Sequence, residues 1–527
     1  MIMRQQTAAG MTRRLALPAT ALGVLAPRLL LAQPASSVND ANIKKAVAEL
    51  DGLVSRAMAS TGVPGLAVAV VCRDAVAFQK GFGVRQIGHP EPVDTDTVFA
   101  LASVSKPIAS TVVAALVGDG RVAWDDPIVR HYPEFAMNDP WLTSQVTLRD
   151  MFAHRSGLPD HAGDDLEDMG YDRDQVLHRL RWQKPGYPFR AGYAYTNFGL
   201  TAAAVAAARA AGKSWEAVSA ERLYKPLGMS RTSSSFADFM AQPNRAVEHA
   251  RIDGAWVARY TRQPDAQSPA GGVSSSVSDL CAWMRLQLAR GTLGGVRIVD
   301  GAALDETHRP QVVRPPAPQD PGAKGPGFYG LGWNVDLGAD GGIQFSHSGA
   351  FSMGAATCVT LLPAAGLGIV TLSNTSPIGL PEAINRSFLD LALQGAVQRD
   401  WVALFGQLMA QAMTPNYGRP DGYAKAPATT TAAAPLAAYV GAYANDLYGP
   451  IEVANVGGGL VLKQGPRLEA APLRHFDRDV FTYQPTGENA YGPASVAFML
   501  DPYGKAASVR IENLDINHQG LFTRAAA

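Results

Sequence analysis

The sequence predicts an α+β fold, an antiparallel sheet flanked by helices, followed by a small C-terminal antiparallel β-barrel. Three observations predict it. β-rich runs lie at both ends of roughly residues 40–400 with a long helical stretch between them, an order that builds one sheet from both ends of a domain. A stretch rich in Pro, Gly, Ala and Thr, containing Pro427-Ala428-Thr429-Thr430-Thr431, then reads as a linker. Beyond it the chain is all-β in character. A length of 527 residues exceeds what one core normally organises. With 47% hydrophobic and 17% charged residues, material for a large core is ample.

The elements follow in chain order. Residues 1–32 read as a signal peptide: Thr12-Arg13-Arg14-Leu15-Ala16-Leu17 after Met1 or Met11, a mostly apolar run to Ala32, and a small residue before Gln33. The paired arginines point to the twin-arginine route and a periplasmic or secreted protein. Pro27 and Arg28 interrupt the apolar run, which leaves a frayed N-terminal helix as the competing reading. A first domain is expected over 38–410. It opens with an amphipathic helix from Asn39 or Asp40, with Ile43, Val47, Leu50, Val54 and Met58 at helical spacing, ended by Gly62 and Pro64. Two β-rich runs, 66–72 and 75–84, flank a turn at Arg73-Asp74. Helices are expected over 197–211 and 214–223. Strands return at 329–335, 343–346, 355–362 and 367–372, and Pro381 opens a helix carrying Ile384, Phe388 and Leu391. After a linker at 411–435, a barrel is expected over 436–527, with strands at 451–456, 460–463, 480–483, 496–500 and 508–511.

Charge and cysteines exclude several functions. Lys+Arg and Asp+Glu balance at 46 each, so the broad cationic field that nucleic-acid binding needs is missing. No segment beyond the leader holds 18 uninterrupted apolar residues, so no integral membrane segment is expected in the mature chain. Cys72, Cys281 and Cys358 are widely spaced and odd in number, and are read as buried thiols. Ten scattered histidines with no H-E-x-x-H or H-x-H, no G-x-S-x-G and no phosphate-binding glycine loop leave no metal and no cofactor to expect.

Ser103-Val104-Ser105-Lys106 is the one Ser-x-x-Lys in the chain. Residues three apart at a helix start share a face, so the lysine amine reaches the serine hydroxyl. A lysine in an apolar or cationic setting loses its proton and serves as the base that a lone serine needs. The helix start adds a free N–H on Ser103 and a positive dipole end. The bland alternative is Ser103 as a plain N-cap with Lys106 in solvent. Two further motifs follow: Tyr195-Thr196-Asn197 at a loop-to-helix junction, and His347-Ser348-Gly349 after the 343–346 strand.

In that order the three motifs resemble those of the penicillin-recognising serine hydrolases. The chain is similar to the class C β-lactamase-like hydrolases, with their esterase and D-aminopeptidase relatives. The likeness extends to Phe99-Ala100-Leu101-Ala102, to Phe152-Ala153-His154-Arg155-Ser156-Gly157-Leu158-Pro159, to Pro269-Ala270-Gly271-Gly272-Val273 and to Tyr329-Gly330-Leu331-Gly332-Trp333. Around Tyr439-Val440-Gly441-Ala442-Tyr443 and Tyr448-Gly449 it resembles a small β domain often appended to these hydrolases. Tyr443-Ala444-Asn445, His161-Ala162-Gly163 and His518-Gln519-Gly520 also match the short motifs, but in the wrong order or the wrong domain.

The resemblance implies a β-lactamase/DD-peptidase-like fold and an acyl-serine mechanism. Ser103 attacks a carbonyl, Lys106 helps take its proton, and Tyr195, as a phenolate beside Lys106, is the shared base and later acid. An ordinary phenol pKa near 10 must fall substantially for that role. Asn197 binds the substrate amide or Lys106, and His347, Ser348 and Gly349 line the substrate strand. The backbone N–H groups of Ser103 and Ala350 form the oxyanion hole. His347 departs from the lysine usual in antibiotic-hydrolysing members. A histidine, with an ordinary pKa near 6.5, is mostly neutral at pH 7. That leans toward D-residue peptides, small amides or esters, with a β-lactamase or penicillin-binding carboxypeptidase as the alternative. A catalytically weak envelope-binding or scaffold protein is the alternative of another class. The expected partner is a small-molecule or short-peptide substrate. Oligomeric state is left open.

Overall fold

A helix opens the described part of the chain where the periodicity places one. In the computed structural model the described residues are 39–314, 326–338, 341–419, 422–423 and 427–526; the leader expected at 1–32 lies outside them. Helix α1 (Asp40–Thr61) starts at Asn39, whose side chain accepts the Ala41 N–H at 2.9 Å. It ends at Gly62 in the left-handed conformation.

The chain then enters an antiparallel sheet. Its strands are β1 (Gly65–Cys72), β2 (Ala75–Gly83), β3 (Val312–Arg314), β4 (Gly327–Tyr329), β5 (Asn334–Leu337), β6 (Ile343–Phe351), β7 (Ala355–Leu362) and β8 (Leu367–Ser373), in the order β2-β1-β8-β7-β6-β5-β4-β3. The N-terminal hairpin thus joins the late strands through β1 and β8, with Leu66 opposite Ser373 and Cys72 opposite Leu367. The unbroken apolar run of β1 is explained by burial on both faces. Leu66, Val68 and Val70 pack with Leu50 and Val54 of α1 and with Ile384 and Phe388 of α5 (Leu380–Gln394). Ala67, Ala69 and Val71 face the helical body on the other side.

That body carries α2 (Ser105–Gly118), α3 (Asp164–Asp168) and α4 (Asn197–Ala210). Helix α4 is buried on every side from Asn197 through Ala208. Its alanines have no long side chains to hold neighbours apart, so the elements around it pack close.

Two expected strands differ from what forms. The run 329–335 is two strands, because the backbone between them bonds the helical body instead of the sheet. Gly332 donates to the Phe152 carbonyl at 3.1 Å, and the Leu331 carbonyl accepts the Ser110 hydroxyl. The strand expected at 343–346 continues through Phe351, so His347-Ser348-Gly349 lies within it. Of the three thiols, Cys281 and Cys358 are buried while Cys72 is partly exposed.

The C-terminal strands form a second, nearly closed antiparallel sheet of nine described strands, running from β9 (Gly441–Asn445) to β17 (Leu521–Arg524). Its edges are the adjacent segments Glu469–Pro472 and Arg474–Asp477. Its core is filled by side chains such as Tyr443, Ile451, Phe481, Phe498 and Phe522. The barrel grips the end of α3 and the segment just after it. Asp168 accepts the backbone N–H groups of Glu488 at 2.8 Å and Asn489 at 2.9 Å, and the Asn489 side-chain amide at 2.9 Å. The Tyr171 hydroxyl donates to the Tyr448 carbonyl at 2.9 Å. No helix among the described residues is long and apolar enough to cross a membrane.

Candidate active site

Ser103 sits in a tight 3-10 turn, Ala102–Val104, that leads into α2. The turn forces Ala102 to a positive φ of 46°, a conformation that costs a non-glycine residue free energy and is held only by its surroundings. Those surroundings are visible. Leu101 donates to the Val273 carbonyl at 2.9 Å, its own carbonyl accepts the Thr357 hydroxyl at 2.7 Å, and the Ser105 hydroxyl accepts the Val273 N–H at 2.9 Å.

One helical turn on, Lys106 is fully buried. Its Nζ lies 3.0 Å from Ser103 Oγ, 2.7 Å from Asn197 Oδ1 and 3.0 Å from the Ala270 carbonyl. Burial lowers its pKa from the ordinary lysine value to about 7, against the pull of the Asp164 carboxylate. Both protonation states are therefore populated at neutral pH. The three contacts say what happens when one proton leaves. The amide oxygen and the carbonyl only accept, whereas a hydroxyl donates or accepts. Neutral Lys106 keeps two N–H bonds to Asn197 and Ala270 and turns its lone pair on Ser103.

Tyr195 approaches the same oxygen from the other side, its hydroxyl donating to Ser103 Oγ at 2.8 Å. Lys106 Nζ also lies 4.4 Å from the centre of the Tyr195 ring. Burial raises this phenol well above its ordinary pKa, and Tyr193, Asp164 and Asp160 add to the rise. The resting tyrosine is thus a protonated donor. Burial and the Asp164 and Asp160 carboxylates thus oppose the phenolate that the resemblance implies.

The histidine motif is arranged differently from the expectation. His347 is buried, at 4% exposure. Its Nε2 lies 2.9 Å from the Tyr329 hydroxyl and its Nδ1 2.7 Å from the Ser348 carbonyl. A carbonyl only accepts, so Nδ1 carries the proton and Nε2 accepts from tyrosine. Burial, then the Lys106 charge, pushes its pKa down to about 3. Both ring nitrogens are thus engaged within the protein, at a position where a substrate contact is expected. Strand alternation turns the Ser348 side chain to the face opposite His347, beside Cys358 of the neighbouring strand. Gly349 stands where expected: a Cβ there would meet the Leu101 carbonyl oxygen at 2.2 Å and Ser103 N at 2.9 Å. The absent side chain lets β6 pass directly beside the nucleophile turn, and it carries the exposed Ala350 with it.

Two further residues complete the cluster. Asn197, on the first turn of α4, donates its amide to Asp164 Oδ2 at 2.8 Å, and the same oxygen lies 2.8 Å from His161 Nδ1. Asp164 Oδ1 is buried without a hydrogen-bond partner among the described residues. Burial works against a charged His161, but the Asp164 hydrogen bond and charge, with Asp160, hold its pKa above the ordinary value. The His161 ring packs against Tyr195, with centroids 5.7 Å apart, and the His161 backbone N–H donates to the Tyr195 carbonyl at 2.7 Å. Gly163, at φ 94°, makes the turn into α3; a Cβ there would strike the Phe198 ring of α4 at 2.9 Å.

Sequence reasoning set His161 aside as a chance match and did not single out Asp164. Its spacing of three from His161 was the available signal, but Asp165, Glu167 and Asp168 surround it as a solvated acidic run would. Tyr443, Asn445 and His518, the other chance matches, lie in the C-terminal part, with Tyr443 in the barrel core. Among the described residues no three His, Cys, Asp or Glu side chains are grouped to hold a metal.

Comparison with known proteins identifies the family of the chain. A family model described as Beta-lactamase matches residues 50–394, and one described as Domain of unknown function (DUF3471) matches residues 425–524. The unguisins hydrolase ungD' of Aspergillus campestris is 26% identical over 331 residues, 60% of this chain and 59% of that protein. Esterase EstB of Burkholderia gladioli is 30% identical over 200 residues, 34% of this chain and 50% of that protein. The chain thus spans between half and three-fifths of the length of these two curated relatives. The octameric penicillin-binding protein homologue from Pyrococcus abyssi superposes with a TM-score of 0.56 at 19% identity, covering 90% of this chain and 100% of that one; that likeness is one of fold. The family match runs across most of the chain and includes Ser103, Lys106, Tyr195 and His347: the protein belongs to the Beta-lactamase family.

Proposed function

We propose that Ser103 is the nucleophile of an acyl-serine cycle acting on D-amino-acid-containing peptides or small amides and esters. The carrying observation is the convergence of Lys106 Nζ and Tyr195 OH on one hydroxyl, at 3.0 and 2.8 Å. Ser103 Oγ bonds to the substrate carbonyl carbon as its proton passes to neutral Lys106. The developing oxyanion is held by the N–H groups of Ser103 and Ala350. When the tetrahedral adduct collapses, the bond to the leaving group breaks and that group takes the Tyr195 proton. Lys106 returns its proton to the phenol oxygen. Water then attacks the acyl-serine, giving up its proton along the same path, and Ser103 Oγ leaves.

The substrate class rests on His347. A neutral, internally bonded ring supplies no cation for a substrate carboxylate at the position where antibiotic-hydrolysing relatives place lysine. The hydrolase and esterase names of the relatives support amide and ester substrates.

A fluorescent phosphonate added to cells is expected to label wild type and not Ser103→Ala, with the labelled protein in the periplasmic or secreted fraction. Equal labelling of both proteins sinks the acyl-serine reading in favour of an envelope-binding or scaffold role, and cytoplasmic label sinks the localisation. At matched concentration, a D-alanyl anilide or a short-chain nitrophenyl ester is expected to outpace nitrocefin. Dominant nitrocefin turnover would replace this substrate class with that of a β-lactamase.

A further inference from the structure

We propose that Asp164 is a positioning residue for Lys106, acting through the Asn197 amide, and that the C-terminal barrel serves the reaction by holding the short helix on which Asp164 sits. The inference rests on Lys106 being the base at Ser103, as above, and concerns what orients that base.

The geometry is a chain of single contacts. Asp164 Oδ2 accepts from Asn197 Nδ2 at 2.8 Å, and Asn197 Oδ1 accepts from Lys106 Nζ at 2.7 Å. An amide has one acceptor end and one donor end. By holding the donor end, the carboxylate points the acceptor end at the lysine. Without it, nothing in that contact stops the amide from turning over, and a turned amide presents N–H to an ammonium group. The Asp164 carboxylate also raises the proton affinity of Lys106 by its charge, against the effect of burial. The other titratable groups around the amine are Tyr195, His154, His347 and His161. Tyr195 is held protonated, His154 and His347 are held neutral, and His161 is held in its charged form by Asp164 and Asp160.

The barrel enters through α3. Asp164 begins this helix and Asp168 ends it, one turn later on the same short rod. A five-residue helix has no stability of its own, so its position depends on what holds each end. At one end stand Asn197 and His161. At the other, the carboxylate of Asp168 takes three hydrogen bonds from Glu488 and Asn489 of the C-terminal domain. Just beyond, Gly465 lies so close that a Cβ would meet the Met169 carbonyl oxygen at 2.0 Å. The barrel thus clamps the helix from the side away from Lys106.

The test is kcat/KM against pH on a nitrophenyl ester, with thermal unfolding and Ser103 labelling as controls. Neutral Lys106 is the active form, so the rate rises as pH passes its pKa. Removing the negative charge lowers that pKa, and the acidic limb moves to lower pH. Asp164→Asn is expected to move the limb down by about one unit and to cut kcat/KM on the plateau about tenfold or more. Asn489→Ala, which removes one of the three hydrogen bonds to Asp168, is expected to cost about two- to fivefold with a shift of the same sign. A folded Asp164→Asn protein whose limb stays in place overturns the positioning role, even if its rate falls. If Asp164→Asn does not fold, the limb position in Asn489→Ala decides instead. An Asn489→Ala protein with wild-type rate and limb overturns the part assigned to the barrel. Wild type that is never labelled on Ser103 overturns the underlying reading and not this one alone.

Discussion

The two flanks of Tyr195 are built from opposite materials. On one side His154, Tyr329 and His347 form a buried cluster of rings, with centroids of 4.6 Å from Tyr195 to His154 and 4.8 Å from His154 to Tyr329. Every member is neutral. Burial lowers His154 well below its ordinary pKa and raises Tyr329 well above its own. On the other side Asp164 and His161 form an ionic pair, with Asp164 buried and the His161 side chain 54% exposed. The difference teaches that the two flanks do separate work. The aromatic flank excludes water and fixes the phenol, and its charge does not change across the working pH range. The ionic flank faces the lysine through Asn197 and sets where its proton comes off.

Replacing the base that the ionic flank orients has the largest expected effect. Lys106→Met keeps the volume but removes the base, and kcat/KM is expected to fall by about 10²–10⁴-fold in steady-state turnover. A loss below about fivefold would mean that Tyr195 alone activates Ser103. The aromatic flank is probed by His347→Gln, whose amide oxygen still accepts from Tyr329. Because the ring already titrates near 3, the pH profile is expected to keep its shape while the rate falls about two- to tenfold from lost packing. A moved acidic limb would show that His347 takes part in proton transfer.

How much of this was legible in the sequence depended on whether the determinants were local. The unbroken apolar run of β1, the Asn39 cap and the Gly62 stop are written within a few residues, and the helix and strands form there. The order of Ser103, Lys106, Tyr195 and His347 was readable for the same reason, since each sits in a short motif. What a side chain faces is not local. Ser348 turns away from the site because strand β6 runs further than its apolar pattern shows, and alternation then fixes its side. His347 loses both nitrogens to a tyrosine eighteen residues earlier and to its own strand. Asp164 is ordinary in an acidic run until Gly163 brings it against α4 and burial isolates it from solvent. The rise of the Tyr195 pKa has the same origin: it is set by burial and by carboxylates that the motif does not contain.

The smallest expected effect is the most discriminating, because its sign opposes that of the Asp164 change. His161 lies on the ionic flank but carries the positive charge, and it and Lys106 repel each other. His161→Gln removes that charge and keeps a donor for Asp164. With Asp164 still charged, Lys106 binds its proton more tightly, and the acidic limb moves to higher pH. The shift is expected to be about 0.3 unit, since the ring is half exposed and the interaction passes partly through solvent. Raising the salt concentration should shrink it, whereas a shift from Asp164→Asn, arising inside the protein, should persist. A limb that moves down in His161→Gln would show that the histidine acts by holding Asp164 in place instead of by its charge, and the ionic flank would then be one positioning unit with no opposing member.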